Sequence, residues 1–345
     1  MNHLHLVIPV FDDWPSLQML VTEIDRLAKD TGLRIAITVV NDGSIAPSDP
    51  WADDLAKLSH IEKLELIHLF TNMGHQRAIA IGLCAAVEAD DAEAILIMDA
   101  DGEDSPSAIP QFLEAARNSR DYCVVARRGK RVESLTFKAS YRVYKLLFRI
   151  LTGKQINFGN FSLLSRNYAR RLVRVAELWN NLPAAILRSK LPIHSVQVDR
   201  AQRYAGKSKM NLTSLVVHGL SGISVYAETI FVRLLISVLG LFGLSVVTIL
   251  TVAVLRFFFP LHATPGWATT VSFGVTIILV QALSLMLSFI LMLLNSRVQR
   301  SIIPVAEYAA FIDYRQDLHG AREDDRQAPP TAEAVAVAVE ALLRP

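Results

Sequence analysis

The sequence predicts an α/β domain with a mostly parallel sheet, followed by two membrane-spanning helices. Short apolar runs alternate with helix-like segments over the first part of the chain, a pattern typical of a parallel sheet that helices cover on both faces. Farther along, Leu234 to Leu255 and Trp267 to Leu294 carry no charged residue, and each run exceeds the roughly 20 residues that a bilayer core requires. These runs explain why 52% of the 345 residues are hydrophobic, which is high for an ordinary soluble protein.

The predicted strands are apolar runs that end at polar or glycine-containing turns. They are Leu4 to Val10, Ile35 to Val40, Leu64 to Phe70, Ala94 to Met98 and Tyr122 to Ala126. Pro15 suits the first turn of a helix after the first strand, and helix-like segments also follow the third and fourth strands. Because ligands bind outside the carboxyl ends of the strands in open α/β sheets, the turns after these runs are where a site is expected.

The acids after Ala94 to Met98 are the first candidates for binding chemistry. Asp99, Asp101 and Glu103 alternate along the chain, so in an extended segment they would project carboxylates to one side. Such a cluster repels itself unless it holds a cation. Hard oxygen ligands favour Mg²⁺ or Mn²⁺, which complete their shell with substrate phosphates. The alternative is a solvated acidic turn that caps the next helix, and these residues alone leave both interpretations open.

Acids also follow the first two strands. Asp12 and Asp13 occupy a turn where a dinucleotide fold would have glycines, which argues against a bare pyrophosphate there and for contact with a base or ribose. Asp42 follows the second strand, where it could hydrogen-bond the same groups or simply form an Asn-Asp-Gly turn. Gly74, after the third strand, would let the backbone approach a ligand.

Positive charges flank the two apolar runs unequally. Lys207, Lys209 and Arg233 precede the first run and further arginines follow the second, whereas the connection between them carries one positive charge. The positive-inside tendency predicts that both flanks are cytoplasmic and that His262 is external, and we expect no signal peptide. The two cysteines lie in apolar surroundings, which predicts reduced thiols, and a net charge of +2 gives no argument for a nucleic-acid partner.

A set of ordered motifs extends this prediction. The motifs are, in chain order, VIPVFDD, VVNDGS, NMGHQRAIAIG, MDADGED and AGKSK, followed by the two apolar runs. Together they resemble the polyprenyl-phosphate glycosyltransferases of the dolichol-phosphate-mannose synthase type, in glycosyltransferase family 2, over roughly residues 4 to 295. The resemblance implies the glycosyltransferase A fold, a Rossmann-like mostly parallel sheet. It also implies transfer of a sugar from a nucleotide sugar to a polyprenyl phosphate, with inversion.

The resemblance assigns roles to individual residues. The nucleotide-binding residues would be Pro9, Asp13, Asp42, Gly74, Gln76 and Asp99. The metal, Mg²⁺ or Mn²⁺, would be held by Asp101 and Glu103. The acceptor phosphate would be bound by Arg127, Arg131, Arg203, Ser208 and Lys209. The predicted catalytic residues are Asp101, Arg127, Arg131 and Lys209.

The predicted organisation follows from these motifs and runs. A catalytic domain over 1–210 includes an interfacial helix at about 133–152, whose mixture of basic, aromatic and aliphatic residues fits a lipid surface; packing on the sheet is its alternative. A second interfacial helix over 211–229, the two membrane helices over 230–296 and a partly disordered cytoplasmic tail over 297–345 complete the chain. We expect a multi-pass protein of the inner membrane with a cytoplasmic catalytic domain, and the sequence is compatible with a homo-oligomer.

Two departures from the family pattern bear on activity. Glu103 stands where the family often has glutamine, which adds negative charge at the metal. Asn160 and Ser162 replace an acid and an arginine that many members carry near the acceptor. The sugar and acceptor therefore stay open, and so does another class of function, a membrane-tethered nucleotide-binding protein with a degenerate site. A processive polysaccharide synthase is a further alternative, although two spans are few for a channel and the Gln-x-x-Arg-Trp signature is absent.

Overall fold

The structure is a computed structural model. It describes residues 2–48, 51, 54–55, 57–89, 92–117, 119, 121–128, 146–205, 212–258, 266–298 and 301–318. The chain forms two compact units. The first contains the residues before 146, those from 155 to 225 and those from 302 onward, and the second contains 146–154 and 226–301.

An eight-stranded mixed sheet forms the centre of the first unit. Its strands are β1 (His3–Val10), β2 (Arg34–Asn41), β3 (Lys63–Leu69), β4 (Ala94–Ile97), β5 (Cys123–Arg128), β6 (Phe158–Ser165), β7 (Ile193–Val198) and β8 (Ile312–Asp317). Their order in the sheet is β7-β5-β6-β4-β1-β2-β3-β8. Strand β1 pairs in parallel with β2 and β4, β2 with β3, and β5 with β7, whereas β6 and β8 run antiparallel to their neighbours. The predicted mostly parallel sheet is confirmed, but the apolar runs did not predict β6, β7 or β8.

Helices cover both faces of this sheet. They are α1 (Trp14–Thr31), α2 (His75–Glu88), α3 (Ile109–Ala116), α4 (Arg166–Leu172) and α5 (Leu182–Arg188). Helices α1 and α3 bury their apolar sides in one core, together with Leu6 and Ile8 of β1. Helices α2, α4 and α5 form the other core with Val7 of β1 and Ile97 of β4. Successive residues of β1 thus enter opposite cores, as the pleat of a strand requires.

Helix α2 lies close to the sheet because its residues are small. A Cβ atom added at Gly82 would lie 2.5 Å from Cγ1 of Val7 and 2.8 Å from Cγ2 of Val40. No side chain larger than hydrogen fits such a space without a shift of the strands. The glycine therefore sets the distance between α2 and the strands β1 and β2, whose carboxyl ends carry candidate site residues.

The segment after the second apolar run returns to the sheet. Helix α6 (Leu212–Ser224) precedes the two long helices, and α9 (Pro304–Glu307), a 3₁₀ turn and strand β8 follow them. Strand β8 pairs with β3. Arg315 Nη1 lies 3.3 Å from the Glu65 carboxylate, and its Nη2 donates to the Tyr308 hydroxyl at 3.2 Å. The Tyr308 hydroxyl in turn donates to Glu88.

Residues 302–318 therefore belong to the first unit, whereas the sequence predicted a separate tail from 297. Strand β8 has no clear signal in the sequence, because it is an edge strand with mostly half-buried polar residues. The chain before and after the two long helices thus belongs to one unit.

The second unit contains the two long helices α7 (Ala227–Phe258) and α8 (Trp267–Val298). Each contains a segment with a mean hydropathy of 2.6. Only 11% of the residues in the α7 segment and 6% of those in the α8 segment are buried, whereas the core helix of a soluble protein would be mostly buried. Their length and composition suit membrane spans. Helix α7 begins a few residues before the predicted limit of 230. Of the predicted interfacial helix at 133–152 the structure describes residues from 146, which are helical through 152, and His262 lies outside the described residues.

Candidate active site

The carboxyl ends of β1, β2 and β4 lie side by side at one edge of the sheet. Val10 of β1 is opposite Asn41 of β2, and β4 pairs with the other side of β1. A cavity opens at this edge, and its lining residues are Pro9, Val10, Phe11, Asp42, Asn72, Gly74 and His75. Three of the predicted nucleotide-binding residues, Pro9, Asp42 and Gly74, are thus brought together around one cavity.

Asp42 holds the loop that forms one wall of the cavity. Its carboxylate oxygens accept hydrogen bonds from the backbone N–H groups of Met73 at 2.7 Å and Gly74 at 3.0 Å. Burial raises the pKa of Asp42, although these two bonds and the nearby charges of His75 and Arg77 oppose the shift. The side chain therefore shapes the cavity through the backbone of the loop, and a direct contact with nucleotide stays a prediction.

The two acids after β1 have different partners. Asp12 Oδ1 accepts hydrogen bonds from the N–H groups of Ile45 and Ala46 at 2.8 and 2.9 Å, so Asp12 ties the β1 turn to the segment after β2. Asp13 instead faces Arg203, whose Nη1 lies 3.6 Å from its carboxylate. Asp13 is thus the acid of the pair that lies near an arginine, and its contact with nucleotide stays a prediction.

The acids after β4 lie in a turn. Residues 100–104 bend back, Gly102 has a φ of +82°, and the N–H of Glu103 donates to Asp101 Oδ1 at 2.9 Å. The predicted extended segment with carboxylates on one side is therefore wrong, because a left-handed glycine and a side chain that caps the local backbone reverse the chain. Asp99 lies apart from the turn, with Oδ1 3.1 Å from Nε2 of His75.

Two arginines from the segment after β7 neutralise this turn. Arg203 Nη2 lies 2.5 Å from Asp101 Oδ2, and Arg200 pairs with Glu103. Burial and the charge of Asp99 raise the pKa of Asp101, and both arginines oppose the shift. Arg203, which the resemblance assigned to the acceptor phosphate, thus contacts carboxylates in this structure. Arg200 was not predicted, and its only sequence signal was the cluster of basic residues between 200 and 209.

Backbone contacts hold the arginine segment on the acidic turn. The N–H of Tyr204 donates to the carbonyl of Asp101 at 3.0 Å, and the N–H of Ala201 donates to that of Glu103 at 3.1 Å. The ring of Tyr204 covers Gly102, where an added Cβ would lie 2.2 Å from Cδ2 of the ring. The turn and the arginine segment therefore form one packed structure.

A chain of side-chain hydrogen bonds extends from the cavity into the domain. The N–H of Leu182 donates to Gln76 Oε1 at 2.8 Å, so Gln76 Nε2 is the end that donates to Asn160 Oδ1, at 3.1 Å. The Asn160 amide nitrogen consequently faces Nε2 of His75 at 2.9 Å. Asn160, which departs from the family pattern, thus links Gln76 to His75. A nucleotide contact by Gln76 stays a prediction, because both ends of its amide already have protein partners.

His75 is a site residue that the sequence reasoning missed. Desolvation lowers its pKa, but the carboxylates of Asp99, Asp42 and Asp101 outweigh that effect and raise it. The neutral ring can accept from the Asn160 amide at Nε2, whereas the protonated ring carries a positive charge close to the cavity and donates to Asp99 instead. Its signal in the sequence was its position in the NMGHQ turn, directly after the third predicted strand.

The remaining predicted residues are only partly accounted for. Arg127 lies exposed near the end of β5, whereas Arg131, Ser208 and Lys209 lie outside the described residues. Within the described ranges, no three His, Cys, Asp or Glu side chains are grouped as a complete metal site. A cation at Asp101 and Glu103 would therefore need ligands from water or substrate, which is usual for Mg²⁺.

Comparison with known proteins decides the family. Residues 5–175 match the sequence model of the family described as "Glycosyl transferase family 2". These residues form a family 2 glycosyltransferase domain. The sheet and the acidic turn after β4 are those of the glycosyltransferase A fold that the motifs implied, and the predicted fold class is confirmed.

Several curated proteins are similar to the glycosyltransferase domain and its surroundings. The undecaprenyl-phosphate 4-deoxy-4-formamido-L-arabinose transferase of Yersinia enterocolitica is 26% identical over 76% of this chain and 78% of its own length. The protein of the same name from Proteus mirabilis is 25% identical over 62% of this chain and 65% of its own. The uncharacterized glycosyltransferase YkcC of Bacillus subtilis is 25% identical, with 65% and 68% covered. This chain thus spans about two thirds to three quarters of these relatives.

Solved structures of other glycosyltransferases are more distant. Glucosyl-3-phosphoglycerate synthase from Mycobacterium tuberculosis, in complex with Mn²⁺, uridine-diphosphate-glucose and phosphoglyceric acid, superposes with a TM-score of 0.48. The sequences are 14% identical, and the match covers 66% of this chain and 80% of that one. Mannosyl-3-phosphoglycerate synthase from Rubrobacter xylanophilus gives a TM-score of 0.44 at 16% identity, with 66% and 73% covered.

Proposed function

We propose that this protein transfers a sugar from a nucleoside diphosphate sugar to a polyprenyl phosphate at a membrane surface, with inversion at the anomeric carbon. One observation carries the proposal. In a family 2 domain, the turn from Asp101 to Glu103 is faced by Arg200 and Arg203, and Asp99 just before it contacts His75, which lines the cavity. Two apolar helices long enough to span a bilayer follow that domain.

The cavity suits the nucleoside of the donor. Pro9 and Phe11 provide apolar surface, and Gly74 brings the backbone to the cavity without a side chain in the way. Asp42 keeps that loop in place through its bonds to Met73 and Gly74. The diphosphate would then extend from the cavity toward the acidic turn, where Arg203 can exchange its bond to Asp101 for one to a phosphate oxygen.

A divalent cation fits the acidic turn. Asp101 and Glu103 would hold Mg²⁺ or Mn²⁺, since these ions bind one or two carboxylates and complete their shell with phosphate and water. Burial and Asp99 raise the pKa of Asp101, and this unfavourable charge is what a cation relieves. When bound, the cation would stabilise the negative charge that develops on the departing nucleoside diphosphate.

The acceptor needs little activation by the protein. A phosphate monoester has a second pKa of about 6, so it is largely dianionic at neutral pH and can attack the anomeric carbon without a side-chain base. Arg127, exposed near the end of β5, is suited to orient it, together with Arg131, Ser208 and Lys209. A single displacement of this kind inverts the anomeric configuration. Relatives named undecaprenyl-phosphate transferases support a polyprenyl phosphate as the acceptor.

Two apolar helices long enough to span a bilayer support a reaction at a lipid surface. The first unit includes the chain before and after α7 and α8, which supports a topology with both flanks of the helix pair on one side of the bilayer. The basic flanks of the helices favour a domain on the cytoplasmic side of the inner membrane.

A transfer assay tests the proposal. Full-length protein in nanodiscs with undecaprenyl phosphate is incubated with labelled UDP and GDP sugars and Mn²⁺, and lipid-linked products are separated by thin-layer chromatography. We expect one labelled monosaccharide lipid. Asp101→Asn should lower the rate by about 10² or more, as loss of a group that stabilises developing charge does. The matched control is Asp54→Asn, because Asp54 is exposed and its ion-pair partner is Lys57.

The outcome also separates the alternatives. A ladder of longer products would favour a processive synthase, and saturable binding of nucleotide without transfer from any sugar tested would favour a degenerate nucleotide-binding protein. Full activity of the Asp101→Asn variant, or in excess EDTA, would contradict the role given to the acidic turn.

A further inference from the structure

We infer that Arg200 is a positioning residue that competes with the divalent cation for Glu103 and thereby sets the metal affinity of the acidic turn. The inference rests on the proposed metal role of Asp101 and Glu103, and adds a residue to which neither the motifs nor the family resemblance gives a role. It predicts that this chain binds metal more weakly than the same site would without Arg200.

The contact between Arg200 and Glu103 is well shielded from water. The guanidinium pairs with the carboxylate, and the two side chains are only 24% and 19% exposed. Arg200 also lies in the field of Asp101 and Asp99, which favour its charged form, while burial and Arg203 lower its pKa. The positive charge of Arg200 is thus directed at the carboxylate predicted to bind the metal.

The backbone fixes this arrangement. The N–H of Ala201, the residue after Arg200, donates to the carbonyl of Glu103 at 3.1 Å. Arg200 therefore begins its side chain beside Glu103 and does not need to reach across the site. Arg203, by contrast, divides its guanidinium between Asp101 and Asp13, so it can leave Asp101 and still have a partner. The described contacts give Arg200 no second ion pair of this kind.

A carboxylate that is paired with an arginine is a poorer ligand for a cation. The cation must displace the guanidinium, and the two positive charges repel each other if it does not. Glutamine at position 103 would offer a neutral amide oxygen to a metal and no charge to an arginine. The effect of Arg200 on the metal should therefore depend on the charge of Glu103, which makes the inference testable by a double-mutant cycle.

The experiment measures Mn²⁺ binding in the absence of nucleotide. Free Mn²⁺ is followed by electron paramagnetic resonance in titrations of the full-length protein in detergent. Because removal of Arg200 leaves the mostly buried Glu103 carboxylate without a compensating charge, we expect Arg200→Gln to tighten Mn²⁺ binding by about tenfold. In a Glu103→Gln background the same substitution should change the dissociation constant by a clearly smaller factor, because only the repulsion between Arg200 and the cation is then removed. Arg200→Lys keeps the charge and should stay close to the wild type.

Matched controls separate local from general effects. Arg188 pairs with Glu177 at 3.0 Å, and those side chains are 32% and 26% exposed, so Arg188→Gln removes a similar ion pair outside the site and should leave Mn²⁺ binding unchanged. Thermal unfolding of each variant shows that it is folded. If Arg200→Gln does not fold, Arg200→Met and the cycle with Glu103→Gln give the same comparison.

The outcomes also distinguish this inference from the proposed function. If Asp101→Asn abolishes Mn²⁺ binding but Arg200→Gln leaves it unchanged, or shifts it equally in both backgrounds, the metal site stands and the role of Arg200 is refuted. If no variant binds Mn²⁺, or Asp101→Asn binds it as the wild type does, the metal role of the turn fails and the inference fails with it.

Discussion

Replacing Gly102 by alanine tests whether the acidic turn and the arginine segment form one packed structure. Gly102 has a φ of +82°, and an added Cβ would lie 2.2 Å from Cδ2 of Tyr204. The left-handed backbone costs alanine about 1 kcal/mol, and displacement of a packed ring adds about 1 to 3 kcal/mol. We expect Gly102→Ala to lower the free energy of unfolding of the domain by about 2 to 4 kcal/mol and to weaken Mn²⁺ binding.

The control for this substitution is Gly32→Ala. Gly32 follows α1 with a φ of +68° and has no atom within 4 Å of an added Cβ. The free energy of unfolding of this variant should therefore fall only by the cost of the left-handed backbone, about 1 kcal/mol, and Mn²⁺ binding should be normal. Urea unfolding followed by tryptophan fluorescence measures both variants in detergent. Adding Tyr204→Ala to Gly102→Ala should cost less than the sum of the single changes. Equal losses at Gly32 and Gly102, or strict additivity with Tyr204→Ala, would refute the reasoning.

Three further predictions concern other parts of the domain. Burial lowers the pKa of His5 to about 4. Between about pH 6.5 and pH 4, His5 is therefore protonated in the unfolded chain but neutral in the folded chain. The free energy of unfolding should therefore fall by up to about 1.4 kcal/mol per pH unit down to about pH 4, and the pH dependence of wild type minus His5→Gln should show this slope. Arg315→Met leaves Glu65 without its ion pair and should cost about 2 kcal/mol and speed hydrogen exchange in β8, whereas adding Glu65→Gln should recover part of the loss. Asn160→Asp adds a carboxylate beside His75 and should raise the pKa of that imidazole, which ¹⁵N NMR titration would detect; an unchanged titration would contradict the hydrogen-bond chain.

The sequence predicted the parts of the fold that depend on local patterns. The run Ala94 to Met98 is apolar at every position and became β4, buried on both faces, because only a central strand can place successive side chains in two cores. Similarly, Pro15 and Gly32 begin and end α1 as their backbone preferences require. The ordered motifs then pointed to the family, and the first four of them lie at turns that follow the strands β1 to β4.

Long-range contacts were not predictable in this way. Strand β8 pairs with β3 across more than two hundred residues, and its half-polar sequence carries no alternation that would indicate an edge strand. The contacts of Asn160 were not predictable for the same reason. This residue of β6 links Gln76 to His75, and the link depends on β6 lying next to α2 in space. In the sequence, Asn160 only marks the absence of an acid that many family members carry. In the structure it belongs to a chain of hydrogen bonds.

The sequence by itself determined which residues reach the edge of the sheet, and the tertiary structure decided which of them meet. The order of strands and turns in the sequence is enough to place Asp42, Asp99 and Asp101 at the carboxyl ends of strands. The assignment of Asp42 to the Asn72–Gly74 loop and the pairing of Arg200 with Glu103 came only from the fold. The physical reason is that the position of a strand and of the turn after it follows from local periodicity, whereas the ion pairs of a charged side chain depend on the packing of segments that are far apart in the chain.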